Sequence, residues 1–272
     1  MNELAAHGLR LAYQGRVVVD DLDVVLPGRA VTAIVGPNAC GKSTLLRGLR
    51  RLLAPAAGTV TLDGERIHRL PARELARRMG LLPQNPVTPE AVTVEALVRL
   101  GRYPHLRPLR GWSAADREAV ESALARTGTA ELRDRPVDEL SGGQRQRVWI
   151  ALALAQDTPL LLLDEPTTFL DLRHQIEVLD LIADLHESAG RTVVMVLHDL
   201  AQAARYAGHL VVLDAGRVAA AGPPAEVLDA ALVEKVFGVA CRVIPDPEAG
   251  SPLVIPLARR AAAAVPQGES CP

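Results

Sequence analysis

Residues 36–44 read Gly-Pro-Asn-Ala-Cys-Gly-Lys-Ser-Thr, and this stretch decides the fold class of the chain. It fits the pattern of a phosphate-binding loop, in which Gly36 and Gly41 let successive backbone N–H groups converge on phosphate oxygens. Lys42 supplies a compact, mobile charge for the β- and γ-phosphates, and the Ser43 hydroxyl is a ligand for Mg²⁺. By itself the stretch predicts a nucleotide-binding enzyme and does not separate NTPases from kinases.

The segments on both sides of this loop support that interpretation. Residues 31–35 are a β-rich run, and the helix predicted to begin near Ser43 adds its positive end to the phosphate site. The lysine also stands out, because among 30 lysine and arginine residues only Lys42 and Lys235 are lysines. The apolar residues of the predicted helix recur at helical spacing: Leu45, Leu46, Leu49, Leu52 and Leu53.

A second group of polar residues follows three other apolar runs. Residues 160–163 are all leucine and lead into Asp164 and Glu165, which predicts a Mg²⁺ ligand and a carboxylate that polarises the attacking water. His198 follows another apolar run and is placed to contact the γ-phosphate. Gln84 follows Leu-Leu-Pro and is placed to reach Mg²⁺ and water. The alternative for the two acids is an exposed acidic turn, for His198 an ordinary surface or core histidine, and for Gln84 a polar loop residue.

The remaining pattern predicts an α/β fold. Residues 86–136 contain a helical insert with a helix over 114–125, and two apolar runs joined by an amphipathic helix predict a buried parallel βαβ unit. The other predicted strands lie at 17–19, 24–26, 59–62 and 211–213.

Composition excludes several classes of protein. A net charge of -2 means that the chain has no excess of basic residues to neutralise a nucleic-acid backbone, so no nucleic-acid partner is expected. Apolar runs fall well short of the roughly 20 residues that span a bilayer, which predicts a cytoplasmic protein with peripheral membrane contact. The three cysteines are too few and too far apart for a disulfide framework or a zinc site. Cys40 is interpreted as a small tolerated residue rather than a redox switch.

Residues 140–144 read Leu-Ser-Gly-Gly-Gln, a second anion-binding turn at a predicted helix start. This stretch resembles the signature of ABC ATPases, and the other motifs follow the order of that family over about 190 residues. The resemblance implies a P-loop NTPase with a parallel-sheet core, an antiparallel β subdomain and a helical subdomain. It also implies a head-to-tail homodimer in which each ATP lies between the phosphate loop of one subunit and the signature of the other.

The resemblance assigns roles residue by residue. Glu165 is the catalytic base, His198 holds the γ-phosphate, and Gln84 together with the helical insert couples hydrolysis to a membrane-spanning permease. Tyr13 stacks on adenine, and Asp171 belongs to the D-loop. The implied Mg²⁺ ligands are Ser43, Gln84 and Asp164. The implied ATP contacts are Tyr13, Gly36, Pro37, Asn38, Ala39, Cys40, Gly41, Lys42, Ser43, Thr44, Asp164, Asp171, Ser141, Gly142, Gly143 and Gln144.

Three further stretches resemble the ATPase subunits of ferric-siderophore importers, which are related to those for haem and cobalamin. These are 101–105, 164–175 and 196–200, and the segment 243–256 agrees with them. Such subunits work on the cytoplasmic face of the membrane with a permease and, indirectly, an extracytoplasmic binding protein. Ala39 stands where a Gly is common, with little effect expected. Ala201 stands where many relatives carry Asn, which leaves the substrate group open. A nucleic-acid or ribosome ATPase and a non-catalytic ATP switch are the weaker alternatives.

The domain limits follow from the same resemblance. One ABC ATPase domain covers 1–260, with a RecA-like core at 1–85 and 159–240, a helical subdomain at 86–158 and an extension at 241–260. The Ala-rich, polar tail at 261–272 is predicted to be disordered.

Two arginine-rich segments have open interpretations. The basic segment is either a solvated face or a contact with the permease or anionic lipid headgroups, with the permease favoured. It consists of Arg99, Arg102, His105, Arg107 and Arg110. A second group, Arg73, Arg77 and Arg78, is expected to be solvated.

Overall fold

The computed structural model describes residues 2–84, 86–87, 90–106, 111–168 and 170–257. The strands are β1 Leu4–Tyr13, β2 Arg16–Leu26, β3 Val31–Val35, β4 Ala57–Leu62, β5 Glu65–Arg66, β6 Met79–Leu82, β7 Leu160–Asp164, β8 Thr192–Val196, β9 His209–Asp214, β10 Arg217–Gly222, β11 Cys241–Pro245 and β12 Pro252–Pro256. The helices are α1 Lys42–Leu49, α2 Ala72–Arg78, α3 Val94–Leu100, α4 Ala114–Arg126, α5 Gly142–Ala155, α6 Leu172–Ala189, α7 Leu200–Tyr206, α8 Pro224–Val227 and α9 Ala230–Phe237.

The central sheet has the strand order β10-β9-β3-β8-β7-β6, and all its pairs are parallel except β10 with β9. Strands β3, β7 and β8 are buried along their whole length, which explains their unbroken apolar runs. In the register, Asp164 pairs with Val196, and Val196 pairs with Ile34. The loops that follow these three strands therefore all lie at the carboxyl end of the parallel strands.

A separate antiparallel sheet has the strand order β2-β1-β4-β5. Its leucines and those of α1 belong to one hydrophobic core. The two runs predicted at 17–19 and 24–26 are parts of the single strand β2, and β1 was not predicted. Polar Asp20 interrupts the sequence pattern but not the strand, because its carboxylate pairs at the surface with Arg10 at 2.7 Å and Arg217 at 3.0 Å.

The helix after the phosphate loop is shorter than predicted. It ends at Leu49, because Arg51 takes a left-handed conformation with φ 63° that no α-helix accommodates. The Arg51 guanidinium donates to the carbonyls of Ile67 and Leu70, which holds this bend in place. Leu52 consequently lies exposed instead of continuing the apolar face of the helix.

The predicted helical insert at 86–136 contains α3 and α4, which pack against each other and against α5. Thr93, Ser113 and Ser141 cap their N-termini, and the last two form full capping boxes. The predicted helix at 114–125 is confirmed as α4. The C-terminal hairpin β11–β12 packs against α7 and α9. The limits of the subdomains remain predictions, and the tail at 261–272 lies outside the described residues.

The structure contradicts both interpretations of the basic segment for one of its members. Arg102 is 5% exposed and pairs with Asp116 at 2.9 Å, so it is neither solvated nor free for a partner. His105 places Nε2 2.8 Å from the Gln156 carbonyl oxygen. Arg99 covers the ring of Trp112 at 4.1 Å. Arg107 and Arg110 lie outside the described residues.

In the second arginine group, Arg73 and Arg77 are exposed, as expected, and Arg78 is half-buried. Arg73 and Arg77 each donate Nε to the Pro104 carbonyl oxygen at 2.8 Å, which joins α2 to the loop after α3. Arg78 pairs with Asp63 and Glu65. Within the described ranges, every helix is too short or too polar to cross a membrane.

Candidate functional site

The loop between β3 and α1 is closely packed at its two glycines. A Cβ on Gly36, whose φ is +156°, would lie 2.3 Å from the Leu213 carbonyl oxygen. Gly41 has φ 107° and is the N-cap of α1 without any side-chain cap, so the first N–H groups of the helix stay available to an anion. Lys42 is buried and donates from Nζ to the carbonyls of Gly36 and Pro37 at 2.8 and 2.9 Å.

Two other residues of the loop bear on its stability. Ala39 has φ 62°, a left-handed conformation that costs a residue with a Cβ about 1 kcal/mol. Cys40 is buried, and burial raises the pKa of its thiol, although Lys42 opposes that effect. A buried thiol with a raised pKa is poorly reactive, in agreement with the structural interpretation of Cys40.

The end of β7 brings Asp164 against the loop. The Ser43 hydroxyl donates to Asp164 Oδ1 at 2.9 Å, although these residues are far apart in sequence. Burial raises the pKa of the Asp164 carboxyl, and the Ser43 hydrogen bond offsets only part of that effect. A buried carboxylate and a hydroxyl in contact are the kind of oxygen ligands that a hard divalent ion binds. Across the described ranges, no group of three or more His, Cys, Asp and Glu side chains is placed to hold a metal ion.

Glu165 occupies the first position after β7 and has φ 54°, a left-handed backbone conformation. Its Oε1 lies 2.7 Å from His198 Nε2, and its Oε2 accepts from the Thr168 hydroxyl at 3.0 Å. Burial alone would raise the pKa of this carboxyl, but the contacts with His198 and Thr168 outweigh it, and the pKa falls below its usual value. Glu165 is therefore an ionised carboxylate at neutral pH.

Most of these residues line one open cavity of about 740 Å³, but Asp164, Gly36, Pro37 and Cys40 are not among its lining residues. The lining combines the phosphate loop, the ends of three strands and the start of β2. It consists of Arg16, Val18, Asn38, Ala39, Gly41, Lys42, Ser43, Thr44, Gln84, Glu165, Thr168 and His198.

Three of the lining residues were not predicted. Thr168 had a recognisable signal, since a hydroxyl three residues after an acid often bonds back to it within a turn. Arg16 and Val18 carry no such signal, because only the folding of β2 over the loop brings them to the cavity. Tyr13, predicted to stack on adenine, lies at the end of β1, and its hydroxyl accepts from Arg47 at 3.4 Å; it does not line the cavity.

The signature residues lie on a different surface. Ser141 caps α5 and exchanges hydrogen bonds with Gln144, which leaves Gly142 and Gly143 at the start of the helix. Among the described residues that line the cavity, none comes from 141–144 or is Asp171. The two helix starts predicted to bind anions therefore do not meet within one chain.

Asp171 is the N-cap of α6. Its Oδ1 accepts from the His174 N–H at 2.9 Å and lies 2.7 Å from His174 Nδ1. A Cβ on Gly143 would lie 3.5 Å from Leu170, so the signature and the segment before α6 are neighbours.

Comparison with known proteins agrees with this geometry. The sequence pattern of the ABC transporter family matches residues 19–168. The chain is 52% identical over 259 residues to the achromobactin transport ATP-binding protein of Dickeya dadantii, covering 95% of this chain and 96% of that protein. The chain belongs to the ABC transporter family. It is equally similar, at 52% identity, to the ferric enterobactin transport ATP-binding protein of Escherichia coli, with 95% of each chain covered.

A solved structure extends the agreement to the fold of this ABC ATPase. A metal-chelate type ABC transporter in an inward-facing conformation superposes with a TM-score of 0.80 and 30% identity, covering 95% of this chain and 98% of that one. The predicted P-loop ABC ATPase fold is therefore confirmed, as is the family membership that residues 140–144 indicated. As a member of this family, the chain binds nucleotide and hydrolyses ATP in a transport system.

Proposed function

We propose that this ABC ATPase drives the uptake of ferric siderophores, hydrolysing ATP as a head-to-tail homodimer beneath a separate pair of permease subunits. The observation that carries the catalytic part is the single cavity that holds Lys42, Glu165 and His198. The cargo is inferred from relatives whose names specify achromobactin and ferric enterobactin and which match nearly the whole chain.

The phosphate groups of ATP bind at the loop between β3 and α1. When ATP binds, the Lys42 ammonium gives up its hydrogen bonds to two neutral carbonyls and contacts the β- and γ-phosphates. The charged phosphates bind an ammonium more strongly than the carbonyls do. The free N–H groups at the start of α1 and the glycine-rich loop cradle the same oxygens. Ser43 and Asp164, with Gln84 nearby, would hold Mg²⁺, which neutralises charge on the phosphates during transfer.

Glu165 acts as the general base. Its ionised carboxylate orients a water molecule for in-line attack on the γ-phosphorus and accepts the proton as the bond to the β-phosphate oxygen breaks. His198 contacts one oxygen of Glu165 and reaches into the cavity, where it holds the γ-phosphate. Gln84 lines the same cavity on the loop after β6, at the entrance to the helical subdomain.

The homodimer follows from the separation of the two anion-binding turns. Ser141, Gly142, Gly143 and Gln144 are at the start of α5, away from the cavity of their own chain, and they complete the cavity of a second copy. Asp171, beside the signature, lies in the same contact. This arrangement gives two shared ATP sites and gives both turns of each chain a ligand.

The transport partners are other polypeptides. Because no described helix crosses a membrane, the chain works peripherally on the cytoplasmic face and couples to the permease through the helical subdomain. An extracytoplasmic binding protein delivers the cargo to that permease. No nucleic-acid partner is proposed for a chain of net charge -2.

The test joins a biochemical and a cellular measurement on Glu165→Gln. Removal of the base should lower kcat by roughly 10²- to 10⁴-fold while nucleotide binding is retained. Cells lacking the chain should recover uptake of radioactive iron from a ferric siderophore with the wild-type gene and not with Glu165→Gln. Normal turnover by Glu165→Gln would remove that residue from the base role. Unaltered iron uptake in the deletion strain, with ATPase activity intact, would point to haem or cobalamin as cargo.

A further inference from the structure

In the turn that follows β7, the carboxylate of Glu165 is hydrogen-bonded by another residue of the same turn. Thr168 contacts Glu165 twice: its N–H donates to the Glu165 carbonyl oxygen at 3.3 Å, and its hydroxyl donates to Oε2 at 3.0 Å. Residues 165–168 therefore form one closed unit of backbone and side chain. Because Thr168 is β-branched, its χ1 is restricted, and the hydroxyl keeps its direction without help from neighbouring elements.

The other contacts of the carboxylate come from different elements. His198 is on the loop after β8 and is half-exposed, with its side chain at 48%. Gln84 is on the loop after β6, next to the helical subdomain. Contacts across separate loops change when nucleotide or a partner displaces one loop, whereas a contact inside a four-residue turn moves with the residue that it holds.

Orientation matters at this position because Glu165 starts from an unfavourable backbone. A glutamate at φ 54° is uncommon, and it directs the side chain into the cavity, where three rotatable bonds leave the carboxylate free to turn. A base must lie within hydrogen-bond reach of its water, and small displacements cost much of its effect.

We propose that Thr168 is a positioning residue for catalysis, whose hydroxyl holds Oε2 of Glu165 so that Oε1 faces the attacking water and His198. This inference rests on the proposed role of Glu165 as the base. Thr168 also lines the cavity, so a direct contact between its hydroxyl and the nucleotide is the competing explanation. The two explanations differ in whether Thr168 still affects the rate of hydrolysis when Glu165 can no longer act as a base.

The experiment uses the full-length chain with Thr168→Val, which keeps the shape and removes the hydroxyl, and Thr168→Ser as the matched control that keeps it. Steady-state hydrolysis of Mg-ATP should show kcat about 10-fold lower for Thr168→Val, with KM within twofold of wild type, and near wild-type kcat for Thr168→Ser. Melting temperatures establish that the variants are folded, and Thr168→Ala replaces Thr168→Val if the latter is not.

The double variant Thr168→Val/Glu165→Gln decides between the two explanations. If Thr168 acts through Glu165, single-turnover hydrolysis by the double variant matches that of Glu165→Gln alone. A further loss in the double variant, or a raised KM in Thr168→Val, would overturn the positioning role in favour of direct contact. If Thr168→Val has wild-type kcat while Glu165→Gln is inactive, the positioning role of Thr168 is refuted and the proposed base is not. An active Glu165→Gln refutes the proposed base.

Discussion

The buried ion pair between Arg102 and Asp116 should be a main support of the helical subdomain. Arg102 follows α3 and Asp116 lies in the first turn of α4, and both are 5% exposed. Arg102 also donates to the Ala155 carbonyl at the end of α5, so this one side chain contacts all three helices. Asp116 accepts from the Ser113 N–H and hydroxyl at 3.1 and 2.6 Å.

These contacts predict unequal effects for the two single substitutions. Asp116→Ala leaves a guanidinium that cannot lose its charge, with a neutral carbonyl as its remaining partner. Removal of one member of a buried pair costs about 3–5 kcal/mol, and the lost capping box adds about 1 kcal/mol. Arg102→Met should cost less, because Asp116 keeps both contacts with Ser113 and can be protonated. The double variant should be more stable than Asp116→Ala, since no charge is left unpaired.

Tryptophan fluorescence during urea or thermal unfolding measures these differences, because Trp112 and Trp149 both lie in or beside the helices concerned. At roughly 2–4 °C per kcal/mol for a chain of this size, the combined loss of about 4–6 kcal/mol in Asp116→Ala should lower Tm by roughly 8–24 °C. A loss under 1 kcal/mol for Asp116→Ala, or strictly additive effects in the double variant, would refute the reasoning.

The pH dependence of the same pair has a definite sign. Burial raises the pKa of Asp116, but hydrogen bonds from Ser113 and Arg102 outweigh it, and the pKa lies below its usual value. A lowered native pKa contributes stability above the unfolded value of about 4, and that contribution disappears as pH falls through the native pKa. Wild type should therefore lose more stability than Arg102→Met on acidification to that range.

Two further substitutions test the phosphate loop. Lys42→Ala should weaken ATP binding by about 10- to 100-fold, the value of a hydrogen bond between charged groups, as measured by titration calorimetry. The exposed Lys235→Ala is its control, and undiminished binding by Lys42→Ala would contradict the assignment of the loop. Ala39→Gly should raise stability by about 0.5 kcal/mol, because relief of the left-handed strain exceeds the added chain entropy. Ala125→Gly, at an exposed helical position in α4, should lower stability instead, and a fall for Ala39→Gly as well would argue against strain at that position.

The sequence alone determined those features whose physics is local. Phosphate binding depends on glycines, a lysine and a hydroxyl within nine consecutive residues, and the signature depends on a capped helix start, so both were recognisable without coordinates. Unbroken apolar runs marked the parallel strands because such strands are buried on both faces. The order of the motifs indicated the family, and the comparisons confirmed it.

Tertiary structure decided what depends on contacts between distant segments. Arg102 was predicted to lie on a solvated face or at a permease contact, because the sequence shows its charge but not the carboxylate that folding brings to it. Arg16 and Val18 reach the cavity only because β2 folds over the loop. Because β3, β7 and β8 end side by side, Ser43 and Asp164 come into hydrogen-bond contact, whereas the signature lies on another surface. Local pattern thus specifies which groups can bind phosphate, and strand register and packing specify which of them meet.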